Sequence, residues 1–257
     1  KFGYDAMYGA GQNIIRRLIP NAILLHAEHN PSFEGQAPEP IARNLKAFSK
    51  LISKTDISSG LATDGDADRI GLFDENGKFV DSHHIILLLI RYLVEFKQEK
   101  GNVYTSFSCT SKIKSICDHY GLEHHVTKIG FKYICEEMIS NPTLLGGEES
   151  GGIAVSSHIP ERDGIWMGLI LWEYMANTGK SLNTLIQEVY QITGSFAMDR
   201  YDLHVPKSQK LDIINQCKEK SYRQFGNYPV TGHEDIDGYK FLLNEDNWVM
   251  IRPSGTE

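Results

Sequence analysis

The feature that most restricts the fold of this chain is a regular alternation of short apolar runs with amphipathic segments. Residues 22–25 and 103–107 have the length and apolar content of buried strands, whereas residues 41–54 and 84–96 repeat apolar side chains at helical spacing. Alternation of this kind is typical of α/β units, in which helices pack on a sheet. Because the alternation starts again after residue 82, we predict two successive α/β domains.

The last part of the chain has a different pattern, which begins near Met198. A strand is followed by one helix over residues 208–225 and then by strands over residues 239–243 and 248–251. This order of elements predicts a smaller α+β domain that is cut short. The predicted domains are residues 1–82, 83–196 and 197–257.

Composition and charge exclude some classes of function. The chain has 26 Lys and Arg against 33 Asp and Glu, a net charge of −7, which disfavours binding to nucleic acid. Its longest apolar run, residues 85–90, is too short to cross a bilayer. The absence of a secretory signal and of Cys-x-x-Cys pairs indicates reduced thiols in a cytoplasmic protein. A start at Lys1 and an end just after a loop-like sequence lead us to expect a fragment.

The strongest chemical signal is the acidic loop, residues 64–69, with the sequence Asp-Gly-Asp-Ala-Asp-Arg. Asp64, Asp66 and Asp68 alternate with small residues, so a curled backbone can direct three carboxylates at one cation. Ligand sets made only of oxygen favour Mg²⁺, Mn²⁺ or Ca²⁺. The spacing therefore predicts a metal site for a hard divalent cation.

The acidic loop has two other possible interpretations, an EF-hand and a solvated acidic turn. In an EF-hand, the aspartates and Glu75 would occupy loop positions of the correct spacing, but Arg69 stands where that loop requires glycine. The flanking segments are also predicted as strands, which excludes the paired helices of an EF-hand. A solvated acidic turn without a metal remains as the alternative.

Two further loops carry groups that suit sugar and phosphate. The sugar loop, residues 146–152, has the sequence Gly-Gly-Glu-Glu-Ser-Gly-Gly and offers carboxylate and hydroxyl acceptors for vicinal hydroxyls. The phosphate loop, residues 252–256, has the sequence Arg-Pro-Ser-Gly-Thr and combines a guanidinium and hydroxyls with an unobstructed amide. Each could instead be an ordinary surface turn.

In sequence and in order, these three loops resemble those of the α-D-phosphohexomutase family, which includes phosphoglucomutases and phosphomannomutases. The resemblance implies that the three aspartates bind Mg²⁺ and that Arg69 is a catalytic arginine. It further implies that the sugar hydroxyls are bound by Glu148 and Ser150. The remaining substrate-binding residues implied by the resemblance are Arg162, Lys128, Arg252, Ser254, Gly255 and Thr256. For Lys128, an ordinary solvated lysine is the alternative.

The resemblance also implies a fold and a reaction. The fold would be two three-layer α/β/α domains with mixed sheets, followed by a truncated α+β domain, out of four domains in the family. The reaction would be the interconversion of glucose 1-phosphate and glucose 6-phosphate through a phosphoserine and glucose 1,6-bisphosphate, by an isomerase. The rivals are a phosphomannomutase, a phosphoglucosamine mutase, or a non-catalytic protein that binds sugar phosphate or metal.

The nucleophile itself is expected to be missing from this chain. Residues 27–31, Ala-Glu-His-Asn-Pro, partly match the phosphoserine motif of the family, but Glu28 stands in the place of the serine. The resemblance to the family implies that the phosphoserine lies in a domain that precedes the one with the acidic loop. We therefore predict that these 257 residues alone have no mutase activity.

Overall fold

The computed structural model describes residues 1–253 of the chain. The helices of this part are α1 (Gln12–Leu18), α2 (Lys46–Ile52), α3 (Ser82–Glu95), α4 (Lys112–Tyr120), α5 (Phe131–Ser140), α6 (Gly164–Thr178), α7 (Leu182–Thr193) and α8 (Lys207–Lys218). Its strands are β1 (Phe2–Asp5), β2 (Ile23–Leu25), β3 (Ser59–Thr63), β4 (Ile70–Phe73), β5 (Phe79–Val80), β6 (Asn102–Ser106), β7 (His124–Thr127), β8 (Thr143–Gly147), β9 (Ile153–Val155), β10 (Gln224–Phe225), β11 (Tyr228–Pro229), β12 (Gly232–Glu234), β13 (Tyr239–Leu242) and β14 (Trp248–Ile251).

The first sheet is mixed and lies between two layers of helices. Its strand order is β2-β1-β3-β4-β5, with β1, β2 and β3 parallel and the last two strands antiparallel. Helix α2 packs Phe48 and Ile52 against Gly60 of β3, where an added Cβ would lie 2.5 Å from Ile52 Cδ1. Helix α6 packs on the same strand, with Gly168 against Leu61. Small residues in strand and helix therefore allow the layers to approach closely.

The second sheet repeats this architecture with four strands. Its order is β7-β6-β8-β9, of which only β9 runs antiparallel. Helix α5 covers one face, and α3, α4 and α7 form a layer on the other. Helix α3 begins where the Asp81 carboxylate accepts a hydrogen bond from the backbone of His84 at 3.0 Å. The sequence-based prediction of two α/β/α units with mixed sheets is confirmed.

One hydrophobic core extends across both sheets. It joins Leu61 of β3, Leu88 of α3, Leu145 of β8 and Leu171 of α6, all of which are buried. The apolar α3, whose residues 85–90 are fully buried, connects the two halves of this core. The division between residues 82 and 83 therefore stays a prediction, because no boundary in the packing marks it.

The third unit is a small α+β structure, as predicted, but the strand predicted to begin near Met198 is absent, since residues 198–206 form no strand. Two helices of the chain were also predicted too long, α8 in this unit and α2 in the first. The antiparallel sheet β12-β13-β14 is accompanied by the β10-β11 hairpin and by α8. Helix α8 ends at Lys218 instead of reaching residue 225, because Lys220 takes a left-handed φ of 55° and the chain then enters the hairpin. Helix α2 begins at Lys46 instead of residue 41, since Asn44 donates side-chain hydrogen bonds that favour a turn.

Polar contacts fix the third unit against the carboxyl edge of the second sheet. Lys112 of α4 forms a 2.7 Å ion pair with Asp246. Lys240 of β13 places its ammonium 4.0 Å from the ring centroid of Phe107, which directly follows β6. The β13–β14 sheet is thereby held next to the loops that follow the second sheet. Among the helices of residues 1–253, none combines the length and the apolar character that a bilayer crossing requires.

Candidate functional site

The parallel strands of the first sheet determine where the acidic loop lies. Because β1, β2 and β3 run parallel, the loops that follow them meet at one edge. The acidic loop begins directly after Thr63, whose hydroxyl is 2.6 Å from that of Tyr4. The loop after β1 packs on it, since the Ala10 amide donates to the Gly65 carbonyl at 3.0 Å. The acidic loop therefore rests on a buried, hydrogen-bonded base.

The backbone of the acidic loop curls as the spacing predicted. Ala67 adopts a left-handed φ of 66°, and its amide donates to the Asp64 carbonyl at 3.2 Å. As a result, carboxylate oxygens of Asp64, Asp66 and Asp68 all lie within 4.8 Å of one another. Asp64 is buried, Asp68 is half-buried and Asp66 is exposed. The three predicted ligands thus converge at one point that remains accessible from solvent.

Two arginines balance part of this negative charge. The Asp64 carboxylate accepts hydrogen bonds from the backbone amide of Arg69 at 3.0 Å and from its Nε at 2.7 Å. Arg162 places a terminal guanidinium nitrogen 2.6 Å from Asp68 Oδ2. Even so, burial and the neighbouring Asp64 carboxylate raise the pKa of Asp68 to about 6, against the opposing effect of Arg162. With three carboxylates and two guanidinium groups, the ionised cluster keeps an excess of negative charge.

The sugar loop forms the tight turn between β8 and β9. The turn is closed by a hydrogen bond from the Glu148 amide to the Gly152 carbonyl at 2.9 Å. Glu148 is 5% exposed, and its Oε1 accepts a hydrogen bond from the Gly130 amide at 2.8 Å. Burial raises the pKa of Glu148, although the Gly130 amide opposes the shift. Ser150, next in the turn, is half-buried.

The acidic loop and the sugar loop form one continuous assembly. Arg69 pairs with Gly152 in an antiparallel bridge, and the Ile70 amide donates to the Gly151 carbonyl at 3.1 Å. Gly151 has a φ of 95°, and an added Cβ there would lie 2.6 Å from the Ile70 carbonyl oxygen. The glycines of the sugar loop are therefore required for the contact with the acidic loop.

Arg162 belongs to the same assembly. Its guanidinium lies 5.5 Å from the ring centroid of Phe131 while it pairs with Asp68. The turn that carries it ends at Asp163, whose carboxylate caps α6 by accepting from the Trp166 amide at 2.8 Å. The structure therefore brings together the residues that the sequence predicted for the metal, for catalysis and for the sugar: Asp64, Asp66, Asp68, Arg69, Glu148, Ser150 and Arg162.

The other predicted residues that the structure describes lie at the border of this assembly, on the turn before α5 and after β14. Lys128 is exposed in the turn before α5, with its ammonium 5.9 Å from the ring centroid of Tyr133. Arg252 lies beside Asp237, with 3.4 Å between Nε and Oδ1, and Asp237 also accepts from the Ile129 amide at 2.9 Å. Asp237 thus joins Arg252 to the Lys128 turn. Ser254, Gly255 and Thr256 fall outside the described residues.

Two residues at these loops were missed by sequence reasoning. Asp237 carries no motif, and nothing in its sequence surroundings marks it. Glu149 lies inside the sugar loop, where its carboxylate accepts from Ser106 at 2.9 Å and also from Ser108. The pair of adjacent glutamates was a visible signal in the sequence. Two neighbouring carboxylates in one turn point in different directions, so the second one needs a partner of its own.

Comparison with known families identifies the class of protein. The phosphoglucomutase/phosphomannomutase α/β/α domain II matches residues 1–77, and α/β/α domain III of the same family matches residues 81–192. The chain therefore belongs to the phosphoglucomutase/phosphomannomutase family, as the three loops predicted.

Individual relatives agree on the family but differ in name. A phosphoglucosamine mutase of Methanocaldococcus jannaschii is 31% identical over 92% of this chain and 52% of its own length. A provisionally assigned phosphomannomutase from Thermus thermophilus is 32% identical, with a TM-score of 0.83 over 98% of this chain and 55% of its own length. This chain thus spans about half the length of the relatives it matches.

A more distant solved structure shares the fold. It is an Aspergillus fumigatus N-acetylphosphoglucosamine mutase in complex with GlcNAc-6P and magnesium. The two chains are 17% identical, with a TM-score of 0.59 over 72% of this chain and 48% of the other.

Proposed function

We propose that the whole protein to which this chain belongs is a hexose-phosphate mutase, an isomerase that moves a phosphoryl group between O1 and O6 of the sugar. The observation that carries this proposal is the convergence of three carboxylates within 4.8 Å directly beside the sugar loop. A metal that assists phosphoryl transfer and a group that binds the sugar must be neighbours in such an enzyme. Family membership supports the same reaction class.

We propose Mg²⁺ as the cation of the acidic loop. Asp64, Asp66 and Asp68 offer oxygen only, which suits a hard cation, and these three carboxylates outnumber the two paired arginines, Arg69 and Arg162. The magnesium in the Aspergillus fumigatus relative supports the assignment. When bound, Mg²⁺ would neutralise charge on the oxygens of the transferring phosphoryl group.

The remaining residues of the site have separable roles in this proposal. Asp64 holds the Arg69 guanidinium at the edge of the acidic loop, where its remaining N–H groups would meet phosphoryl oxygens. Glu148 uses Oε1 for the Gly130 amide, which leaves Oε2 to accept from a sugar hydroxyl beside Ser150. Arg162, paired with Asp68, would contact the phosphosugar.

The distal phosphate has its own candidates. Arg252 and Lys128 carry positive charge on the two segments that Asp237 joins, and the phosphate loop adds Ser254, Gly255 and Thr256. A sugar bisphosphate needs two phosphate sites, one at the metal and one at a distance from it. We therefore propose that the non-transferring phosphate binds near Arg252. Glucose 1,6-bisphosphate would be the intermediate that occupies both phosphate sites.

Residues 158–164, with the sequence His-Ile-Pro-Glu-Arg-Asp-Gly, resemble a loop of the phosphoglucomutase branch, in which a basic residue before Asp-Gly contacts the phosphosugar. Glucose 1-phosphate is therefore the proposed substrate. Glucosamine 1-phosphate is the second candidate, because the Methanocaldococcus jannaschii relative is named a phosphoglucosamine mutase. Mutase assays on the whole protein with glucose, glucosamine and mannose 1-phosphates would separate these. A preference for glucose supports the proposal, and a preference for either other sugar replaces it with that substrate.

The rival of another class is a protein that binds sugar phosphate without turnover. Absence of conversion with all three sugars, despite measurable binding, would establish this rival.

The 257 residues by themselves are a further test of the proposal. They should bind metal and phosphosugar but neither convert glucose 1-phosphate nor become phosphorylated by glucose 1,6-bisphosphate. No serine in their sequence lies in a recognisable phosphoserine motif, and the acyl phosphate of Glu28 would be prone to hydrolysis. Intact mass after incubation with the bisphosphate and Mg²⁺ measures covalent phosphate. A stoichiometric, active phosphoprotein would contradict the assignment of the nucleophile to another segment.

A further inference from the structure

Glu149, the second glutamate of the sugar loop, is held through its carboxylate and its backbone carbonyl by serine hydroxyls from two other segments. Its Oε2 accepts hydrogen bonds from Ser106 at 2.9 Å and from Ser108, both at the carboxyl end of β6. Its backbone carbonyl accepts from Ser82, the first residue of α3. Side chain and backbone of Glu149 are therefore both anchored to the second α/β unit.

Glu148 and Glu149 are adjacent but are bound to different elements. Glu148 Oε1 accepts from the Gly130 amide at the start of α5, whereas Glu149 Oε2 faces the end of β6. The Gly151 amide donates to the Glu148 carbonyl at 3.2 Å, which keeps the turn compact around Glu149 and Ser150. A rotation of the backbone of this turn would displace both residues, so the anchor on Glu149 also restrains the backbone position of Glu148.

The opposite side of the turn contacts the acidic loop through backbone atoms. Gly151 contacts Ile70, and Gly152 contacts Arg69. Glycine backbones are conformationally free, so these contacts restrain only the end of the turn that makes them. The contacts with the acidic loop therefore fix one end of the turn. Glu149, through the serines, fixes the other end against β6 and α3.

We propose that Glu149 is a positioning residue of the sugar site, which holds the turn so that Glu148 and Ser150 keep their register with the acidic loop. The inference rests on the proposed function, in which this turn binds the hexose. Both serines donate and Glu149 accepts, so the role depends on acceptor oxygens and not on charge. A glutamine retains one such oxygen, whereas an alanine retains none.

Steady-state kinetics of the whole protein test this role. In Glu149→Ala and in the double variant Ser106→Ala/Ser108→Ala, KM for the hexose 1-phosphate should rise about tenfold, because both hydrogen bonds that hold Glu149 to Ser106 and Ser108 are lost. Glu149→Gln should restore most of the wild-type KM, and Glu136→Ala, an exposed glutamate of α5, is the matched control. An unchanged KM in Glu149→Ala, or a glutamine variant as impaired as the alanine variant, would overturn the proposal.

Amide hydrogen exchange over residues 147–152 gives a second readout that is independent of turnover. Exchange should accelerate in Glu149→Ala and in the serine double variant, and should remain as in the wild type in Glu149→Gln. Equal exchange in all variants overturns the positioning role, whatever the kinetics show. Altered exchange in a protein that converts no hexose phosphate would leave the anchoring intact and refute the proposed function. If Glu149→Ala does not fold, KM and hydrogen exchange can both be measured on Ser108→Ala, which removes only one hydroxyl.

Discussion

The acidic loop and the surroundings of Arg252 carry the proposed metal and phosphate sites in contrasting ways. The Asp64 side chain is 2% exposed and is bound by two N–H groups of Arg69, on a base of parallel strands. Arg252, by contrast, is 42% exposed, and its described partner is a single carboxylate 3.4 Å away. The comparison indicates that holding several like charges close together requires a buried, hydrogen-bonded scaffold. A single cationic side chain that binds an anion can remain exposed.

The largest effect should come from removing a ligand of the rigid site. Asp66→Ala in the 257-residue chain should weaken Mg²⁺ binding about 100-fold or more, because a hard cation depends on the number and charge of its oxygen ligands. Asp66 is exposed, so its loss leaves no buried partner behind. Calorimetry measures the affinity, with Asp212→Ala on α8 as the matched control. Equal affinities in Asp66→Ala and the parent chain would refute the metal assignment.

The more exposed site should show a smaller and separable effect. Arg252→Ala in the whole protein should weaken binding of inorganic phosphate about tenfold, since charge-assisted hydrogen bonds are the strong ones. Glu148→Gln should leave phosphate binding unchanged and reduce turnover of the phosphosugar. Arg17→Ala, at an exposed arginine of α1, controls for the change in net charge. If Arg252 and Glu148 variants affect phosphate equally, the two regions do not divide the substrate as proposed.

The pH dependence of metal binding sharpens the comparison further. Because the pKa of Asp68 is raised to about 6, this carboxylate takes up a proton as the pH falls through that value. Mg²⁺ affinity should therefore fall several-fold between about pH 7.5 and pH 5.5. In Arg162→Ala the fall should begin at higher pH, since the guanidinium that opposes the pKa rise is gone. Identical pH profiles in Arg162→Ala and the exposed control Arg223→Ala would show that Arg162 does not act on Asp68.

The smallest effect is expected at the contact that joins the third unit to the second. Asp246→Ala removes the partner of Lys112, and should lower the free energy of unfolding by about 1 kcal/mol because Lys112 is nearly buried. The pair Lys114–Asp118 is exposed on both sides, so Asp118→Ala should have an effect close to zero. Urea unfolding of both variants measures the difference. A larger loss of unfolding free energy in Asp118→Ala than in Asp246→Ala would show that burial does not determine how much these ion pairs stabilise the fold.

The amino-acid sequence predicted the parts of this protein that depend on local pattern. Apolar periodicity gave the two α/β units, and the spacing of Asp64, Asp66 and Asp68 predicted a convergence that the left-handed Ala67 produces. The ends of α2 and α8 were predicted wrongly. Periodicity reports which faces are buried, but it does not report the local turn chemistry that ends a helix.

Tertiary structure decided which of these parts face each other. Arg162 meets Asp68, Arg69 meets Gly152, and Glu149 is held by Ser106 and Ser108, although each pair is far apart in sequence. Such contacts depend on the crossover connections between parallel strands and on the packing of helices around one shared core, so no local sequence pattern encodes them. The sequence by itself determined the chemistry of each loop. The folded chain determined that the acidic loop and the sugar loop lie side by side, because loops at the carboxyl edges of two sheets become neighbours only when the two units pack together.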